Sequence, residues 1–429
     1  MALVYEKKWK IFFLVATSIF MSTLDSSIVN VALPYLMQDL QTDLQTIQWV
    51  VLVYLVTVSS LLLTFGRLSD IKGRKLVYVL GFAIFATGSV LCGMARTPLS
   101  LIIYRAVQGG GASMLMACSP ALIVDAFPVK ERGKALGMIG AVVAAGLTTG
   151  PVVGGIILEY LSWRFIFYIN IPIGIAAVIG GMLVLKGDGS DTGSHEPMDK
   201  TGSILLIVIL STLIVFMTQI SKWGMMSIPS ISFAGLFILA GTAFLINEAK
   251  SDYPLFDLKL LKIKLFVFPV MSSAILFAAL FVIIFMMPFY LTYPCGFSAS
   301  KTGLIMIVPF LFLLVVSPLS GVMYDQFGSR RLCMTGMSVL ALSLISLMSI
   351  HPSMGVGSVL WRIALAGIGT ALYVSPNNTA IMSIVPLPRR GIASGAVATA
   401  RNLGMVIGVA LARIDFYKFF LNIDEWFKS

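Results

Sequence analysis

Charge is scarce in this chain: Asp, Glu, Lys and Arg make up 11% of 429 residues, against 58% for AVILMFWYC. A soluble protein of this length cannot hide so much apolar side chain, so its solvent must be lipid. Histidine is nearly absent, with only His195 and His351. One lies in a polar stretch and the other near a span end, so no intramembrane catalytic constellation can be assembled and no enzyme is expected. The four cysteines, Cys92, Cys118, Cys295 and Cys333, are scattered. That spacing indicates neither a disulfide framework nor a metal site. No G-x-x-x-x-G-K-[ST] string occurs, so the expected energy source is an ion gradient and no cofactor is expected.

What the chain has instead is long apolar runs. A spanning helix needs about 20 such residues. Thirteen runs qualify, beginning near Ile11, Ile47, Leu76, Leu99, Lys134, Trp163, Gly202, Pro229, Leu265, Thr302, Leu332, Gly357 and Ile392. They are continuous, which excludes the alternating strands of a closed barrel. The first run follows Lys7, Lys8 and Lys10, as a signal peptide would. It is too long for one, holds Asp25 and lacks a small-residue cleavage site, so it reads as an uncleaved helix. The net charge of +11 does not imply nucleic acid, because most Lys and Arg fall in alternate loops. That bias predicts a multi-pass protein of the cytoplasmic membrane with a cytoplasmic N-terminus.

Half of the chain is written twice. GRLSDIKGRK (66–75) returns in weakened form as GVMYDQFGSR (321–330). Arg105 returns as Arg362, Ser119-Pro120 as Ser375-Pro376, and Pro128, Arg132 and Gly133 as Pro386, Arg390 and Gly391, at offsets of 255 to 258 positions. Homologous halves in an apolar chain are a transporter architecture, with the substrate site at their interface. The expected fold is an all-α bundle pair. Residues 1–185 form six helices. Residues 186–264 hold a cytoplasmic loop, two inserted helices and a basic connector. Residues 265–412 form five helices, and 413–429 are a tail too short and too charged to cross.

Several intramembrane or junction residues carry candidate chemistry. Asp25 is the one carboxylate deep in a span, about 12 Å inside its outer end if Pro34 marks that end. A carboxylate there marks an ion path or proton relay, since apolar surroundings favour the neutral acid and a nearby Arg the charged form. The competing reading ties it to the hydroxyls of Ser22, Ser26 or Ser27. Arg105 lies at similar depth in span 4, and Gln108 with three following glycines suggests a packed polar cluster, against simple snorkelling to the interface. In the junction of spans 2 and 3, Gly66 permits close packing, Asp70 can pair with Arg74, and Gly73 permits a sharp turn. Repeated at Asp325 and Gly328, this reads as a charge-paired conformational latch, against a mere basic turn. In span 5, Gly146, Gly150, Gly154 and Gly155 let another backbone approach, and Pro151 can bend the helix. Taken alone, that string is equally a packing device. Arg401 and Asn402 put a further polar pair inside span 13, with no partner nameable. The aromatic string 163–174 opens span 6, where an interfacial belt accounts for Trp163 and Tyr168.

Together these strings resemble the major facilitator superfamily, and within it the fourteen-helix drug:proton antiporter family of EmrB/QacA type. Residues 66–75 look like the signature between helices 2 and 3. Residues 105–112 look like the helix 4 motif, whose Arg is implicated in proton coupling. Residues 146–155 look like the antiporter motif of helix 5, associated with export. Residues 24–34 and 163–174 are similar to strings of the fourteen-helix group, whose last helix this chain lacks. The resemblance implies a monomeric exporter, which accessory export proteins could join. Protons would move in through Asp25 and Arg105, and a lipophilic, cationic or amphipathic drug-like compound would move out, by alternating access in the bilayer. An exporter or symporter of one metabolite, and an inactive shortened transporter, are the alternatives.

Overall fold

The computed structural model describes residues 2–128, 131–185, 199–251, 255, 258–385 and 390–426. Among these are fifteen α-helices and no strand. They are α1 (Ala2–Asp39), α2 (Leu44–Ile47), α3 (Trp49–Lys72), α4 (Arg74–Met94), α5 (Pro98–Ala126), α6 (Arg132–Tyr160), α7 (Phe165–Tyr168) and α8 (Asn170–Val184). There follow α9 (Lys200–Trp223), α10 (Ile228–Lys250), α11 (Lys264–Thr292), α12 (Ala299–Met306), α13 (Val308–Leu347), α14 (Val356–Ile384) and α15 (Arg390–Trp426). The expected cytoplasmic loop (186–198) lies outside the described residues.

Thirteen of the resulting segments are long and apolar enough to cross a membrane. Their limits follow from local chemistry. Thr97 accepts from Ser100 N and Pro98 opens α5, so that helix is capped and pre-set at its start. Asp43, Asp199, Ser227 and Ser298 cap α2, α9, α10 and α12 in the same way. Gly73 separates α3 from α4 with φ 91°. Gly328 takes φ 72° inside α13, so that one helix contains the ends of two spans, 299–324 and 326–347. Only glycine adopts such dihedrals without steric cost.

Two expectations are corrected. Pro34 does not end the first span: α1 runs on to Asp39 with Pro34 inside it. A proline removes one backbone bond, which a spanning helix tolerates where its neighbours re-satisfy the freed group. Asp25 is therefore about 21 Å from the helix end, close to mid-span. Gly66 does not mediate close packing, because a Cβ there would meet nothing within 4 Å and α3 continues to Lys72. The backbone of the tail, up to Trp426, prolongs α15.

The packing repeats between the halves. α1 lies on α6 as α11 lies on α15, while α5 packs on α3 and α4 as α14 packs on α13. α9 leans on α3 and α15, and α10 lies outside it with Ile228, Ile238 and Leu239 exposed. One core cluster runs through both halves. A smaller one, with Leu260, Phe266, Ile381, Val385, Ala393 and Ala396, joins α11, α14 and α15 at the end that carries the basic junctions. That end is called the basic end below. The interior spans are long, 29 residues each for 44–72, 98–126, 264–292 and 356–384. The rim spans 165–184, 200–220 and 228–250 have 20, 21 and 23.

Candidate functional site

Asp25 is fully buried on α1, and Arg105, on α5, is the largest fully buried side chain among the described residues. Arg105 Nη1 donates to Asp25 Oδ2 at 2.5 Å and to Gln108 Oε1 at 2.6 Å, and Nε donates to the carbonyl of Val50 at 3.1 Å. Gln108 Nε2 donates to Asp25 Oδ1 at 2.8 Å and to Ser89 Oγ at 2.8 Å. Asn170 Nδ2, from the first residue of α8, reaches the same Oδ1 at 3.1 Å. The carboxylate thus accepts from three donors on two helices. The Tyr54 ring lies 4.1 Å beneath the guanidinium.

Small residues allow this convergence. A Cβ at Gly88 would stand 2.7 Å from Gln108 Cα, so α4 touches α5 at the level of Gln108. The serine reading is not what the structure shows. Ser22 Oγ and Ser27 Oγ donate to carbonyls of their own helix, Ser18 and Leu24. A charged pair in a low dielectric needs its remaining lone pairs and protons met, and here both carboxylate oxygens accept while Nε and Nη1 of Arg105 donate.

The junction residues behave differently. Arg74 pairs with Asp70 at 3.4 Å and also with Asp125 on α5. Asp125 escaped sequence reading because it stands alone, fifty-one residues from Arg74. These contacts tie α3, α4 and α5 within one half. The side chain of Asp325 lies outside the described residues.

The span 5 string faces two ways. A Cβ at Gly146 or Gly150 would overlap Thr23 Oγ1 or Ser27 Oγ, and one at Gly154 would stand 2.7 Å from Ile28 Cγ1, all on α1. Gly155 faces the other half, where a Cβ would lie 2.6 Å from the carbonyl oxygen of Ala299. A Cβ at Gly303 of α12 would in turn overlap the carbonyl of Pro151. Ser300 N donates to Glu159 Oε2 at 2.8 Å, and Tyr293 donates to the carbonyl of Pro34 at 3.0 Å. The two halves are therefore closed on each other at the end opposite the basic one.

The remaining arginines differ in their surroundings. Arg362 is buried and donates to the carbonyls of Ser346 at 2.9 Å and Ser358 at 2.7 Å. Arg401 meets the ring of Phe277 at 5.8 Å, and its Nε is buried without an acceptor. Trp163 is also buried, with Nε1 donating to Asp39 Oδ2 at 2.7 Å.

Residues 15–409 match the family model described as Major Facilitator Superfamily. The chain is a major facilitator. Like others of that superfamily it is a transporter and not an enzyme. This facilitator is 33% identical to the riboflavin transporter RibZ of Clostridioides difficile (strain 630), over 99% of its own length and 91% of the relative's. It is 32% identical to the multidrug resistance protein Stp of Mycobacterium tuberculosis (strain ATCC 25618 / H37Rv), over 93% and 74%. In fold it is similar to the crystal structure of a peptide transporter POT in complex with sulfate, with TM-score 0.70 at 15% identity over 94% and 88%.

Proposed function

We propose that this transporter exports lipophilic compounds from the cytoplasm in exchange for protons, as a member of the fourteen-helix drug:proton antiporter group in the cytoplasmic membrane. The observation that carries the reading is the buried cluster of Asp25, Arg105, Gln108 and Asn170. A carboxylate at mid-span is costly, and one retained there marks an ion path or proton relay. Arg105 and a proton are alternative partners for this carboxylate, so the two compete for it. Motion that shifts α5 or α8 against α1 would change that balance. The Gly155–Ala299 contact supports alternating access, since a seam of small residues can part without leaving charges stranded. The Arg74–Asp70 pair, as part of a latch, would favour the outward-open state.

A second reading, transport of one specific metabolite, is favoured by the 33% identity to a riboflavin transporter. Multidrug export is favoured by the resemblance of 146–155 to an antiporter motif and by the match to Stp. The test is substrate-evoked proton release from proteoliposomes that hold the purified chain. Ethidium and riboflavin serve as the two probes. Wild-type protein should release protons with a substrate, and Asp25→Asn should release none while remaining folded and inserted. Undiminished release by Asp25→Asn would sink proton coupling through this residue.

A further inference from the structure

Three arginines, Arg105, Arg362 and Arg401, lie six or more residues from either end of a span, and two of them are answered by the protein. Arg105 has Asp25, and Arg362 has two backbone carbonyls. Arg401 has no carboxylate within ion-pair distance and no hydrogen-bond acceptor among the described residues, and its buried Nε is orphaned. It lies on α15, eleven residues and about 16 Å from the helix start at Arg390, well inside the membrane.

Its direction follows from its neighbours. One turn before it, Val397 packs against the cluster around Phe266 and Ile381. One and two turns after it, Gly404 and Gly408 press on the carbonyls of Ala274 and Ala278 of α11. These positions share a face, so Arg401 points at α11. Phe277, which it meets, lies on the inner side of α11, because the lipid face is marked by Phe268, Met271 and Ile275, each more than half exposed. The guanidinium is therefore turned into the bundle, yet Arg401 remains partly accessible.

The repeat supplies a second argument. Gly404 and Gly408 stand 258 positions after Gly146 and Gly150 and pack in the same way, on α11 as the earlier pair packs on α1. At that offset Arg401 corresponds to Val143. The same helix–helix contact is thus built in the first half with an apolar residue, so packing does not require the charge. A lone buried cation requires an anion or water to offset its desolvation.

We propose that Arg401 binds an anionic group of the substrate, with Phe277 against its aromatic or apolar body. The carried compounds are then organic anions or zwitterions bearing a carboxylate, sulfonate or similar group, rather than the cations expected from the family resemblance. This inference rests on the transporter reading, and it names the substrate class.

The test compares pyrenebutyrate with pyrenebutylamine, which share an aromatic body and differ in the sign of charge. Each is titrated into the full chain in phosphatidylcholine nanodiscs, with empty nanodiscs as the partition control. Wild type should bind the anion at least tenfold more tightly than the amine. Arg401→Gln should lose that preference, Arg401→Lys should keep most of it, and Arg401→Glu should reverse it. Arg401→Val restores the residue that the first half uses, and should fold even where Gln does not. Equal binding of the two probes by wild type, or an anion affinity unchanged in both Arg401→Gln and Arg401→Val, overturns the proposal. Transport is read separately. Proton release evoked by a cation and untouched by Arg401→Val would overturn the anion site and leave export standing. Anion binding through Arg401 without proton release would overturn coupling and leave the site standing.

Discussion

Removing the guanidinium of Arg105 would strand a carboxylate that no water reaches. Loss of one partner from a buried pair costs about 3–5 kcal/mol, more than the intact pair contributes, because the remaining charge is left uncompensated. Arg105→Ala should therefore unfold at clearly lower temperature than wild type. Adding Asp25→Asn to it should recover part of the loss, since the orphaned charge is then gone. Thermal unfolding of the three variants in detergent checks this, and a double variant no more stable than Arg105→Ala would contradict it. The depth of Asp25 and Arg105 was legible in the sequence, because charged residues in apolar runs stand out against their surroundings. Asn170, Ser89 and Tyr54 were not legible as members of the same cluster. Neutral polar and aromatic residues are ordinary in spans, and only the folding of α3 and α4 onto α5, and of α8 onto α1 and α4, brings them together. Arg362 shows the limit of reading by repeat: it matches Arg105 in position, yet it caps carbonyls and meets no acid.

At the scale of one helix, α6 presents the clearest contrast. Leucine at Gly155 would drive a branched side chain into the backbone of α12, where even a Cβ lies 2.6 Å from Ala299 O. The two halves could then not close at that end, so Gly155→Leu should insert normally and lose nearly all transport. Gly66 belongs to the string that most resembles a signature, yet space around it is open. Gly66→Leu should keep transport within about twofold, because surface substitutions away from packed features are usually within ±0.5 kcal/mol. Initial rates in inverted vesicles compare the two. Comparable damage by both would show that the small-residue seam is not what alternates. The spacing of the span 5 glycines foretold close helix approach. Which glycine faced which helix could not be read, because two partners one residue apart on the same helix look alike in a string.

For the whole molecule, closure at the end opposite the basic one rests on α6 against α12, with Ser300 N on Glu159. Replacing Glu159 and Ser300 by cysteine, with Cys295 changed to serine, should give a pair that a short bismaleimide joins. Cross-linked protein should bind substrate from one side only and stop transporting, while the same variants left unreacted transport. Full turnover after complete cross-linking would mean that this contact does not open in the cycle. The helices themselves, thirteen runs and their order, were legible because the bilayer sets a minimum length for an apolar run that crosses it. Where Asp70, Arg74 and Asp125 meet was not, because that junction depends on how three helix ends are brought side by side.

The unequal span lengths carry a consequence of their own. Rim helices of 20 to 23 residues are about 30–35 Å long, close to the hydrocarbon thickness, whereas the interior ones of 29 are about 43 Å. The lipid therefore grips the protein mainly by its short rim, and the long helices must lean or protrude to fit within it. Thickening the bilayer would draw the rim upright before it touched the interior. The acyl chain length of the host membrane thereby becomes a mechanical input, able to retune how easily the two halves tilt past each other without changing a single residue.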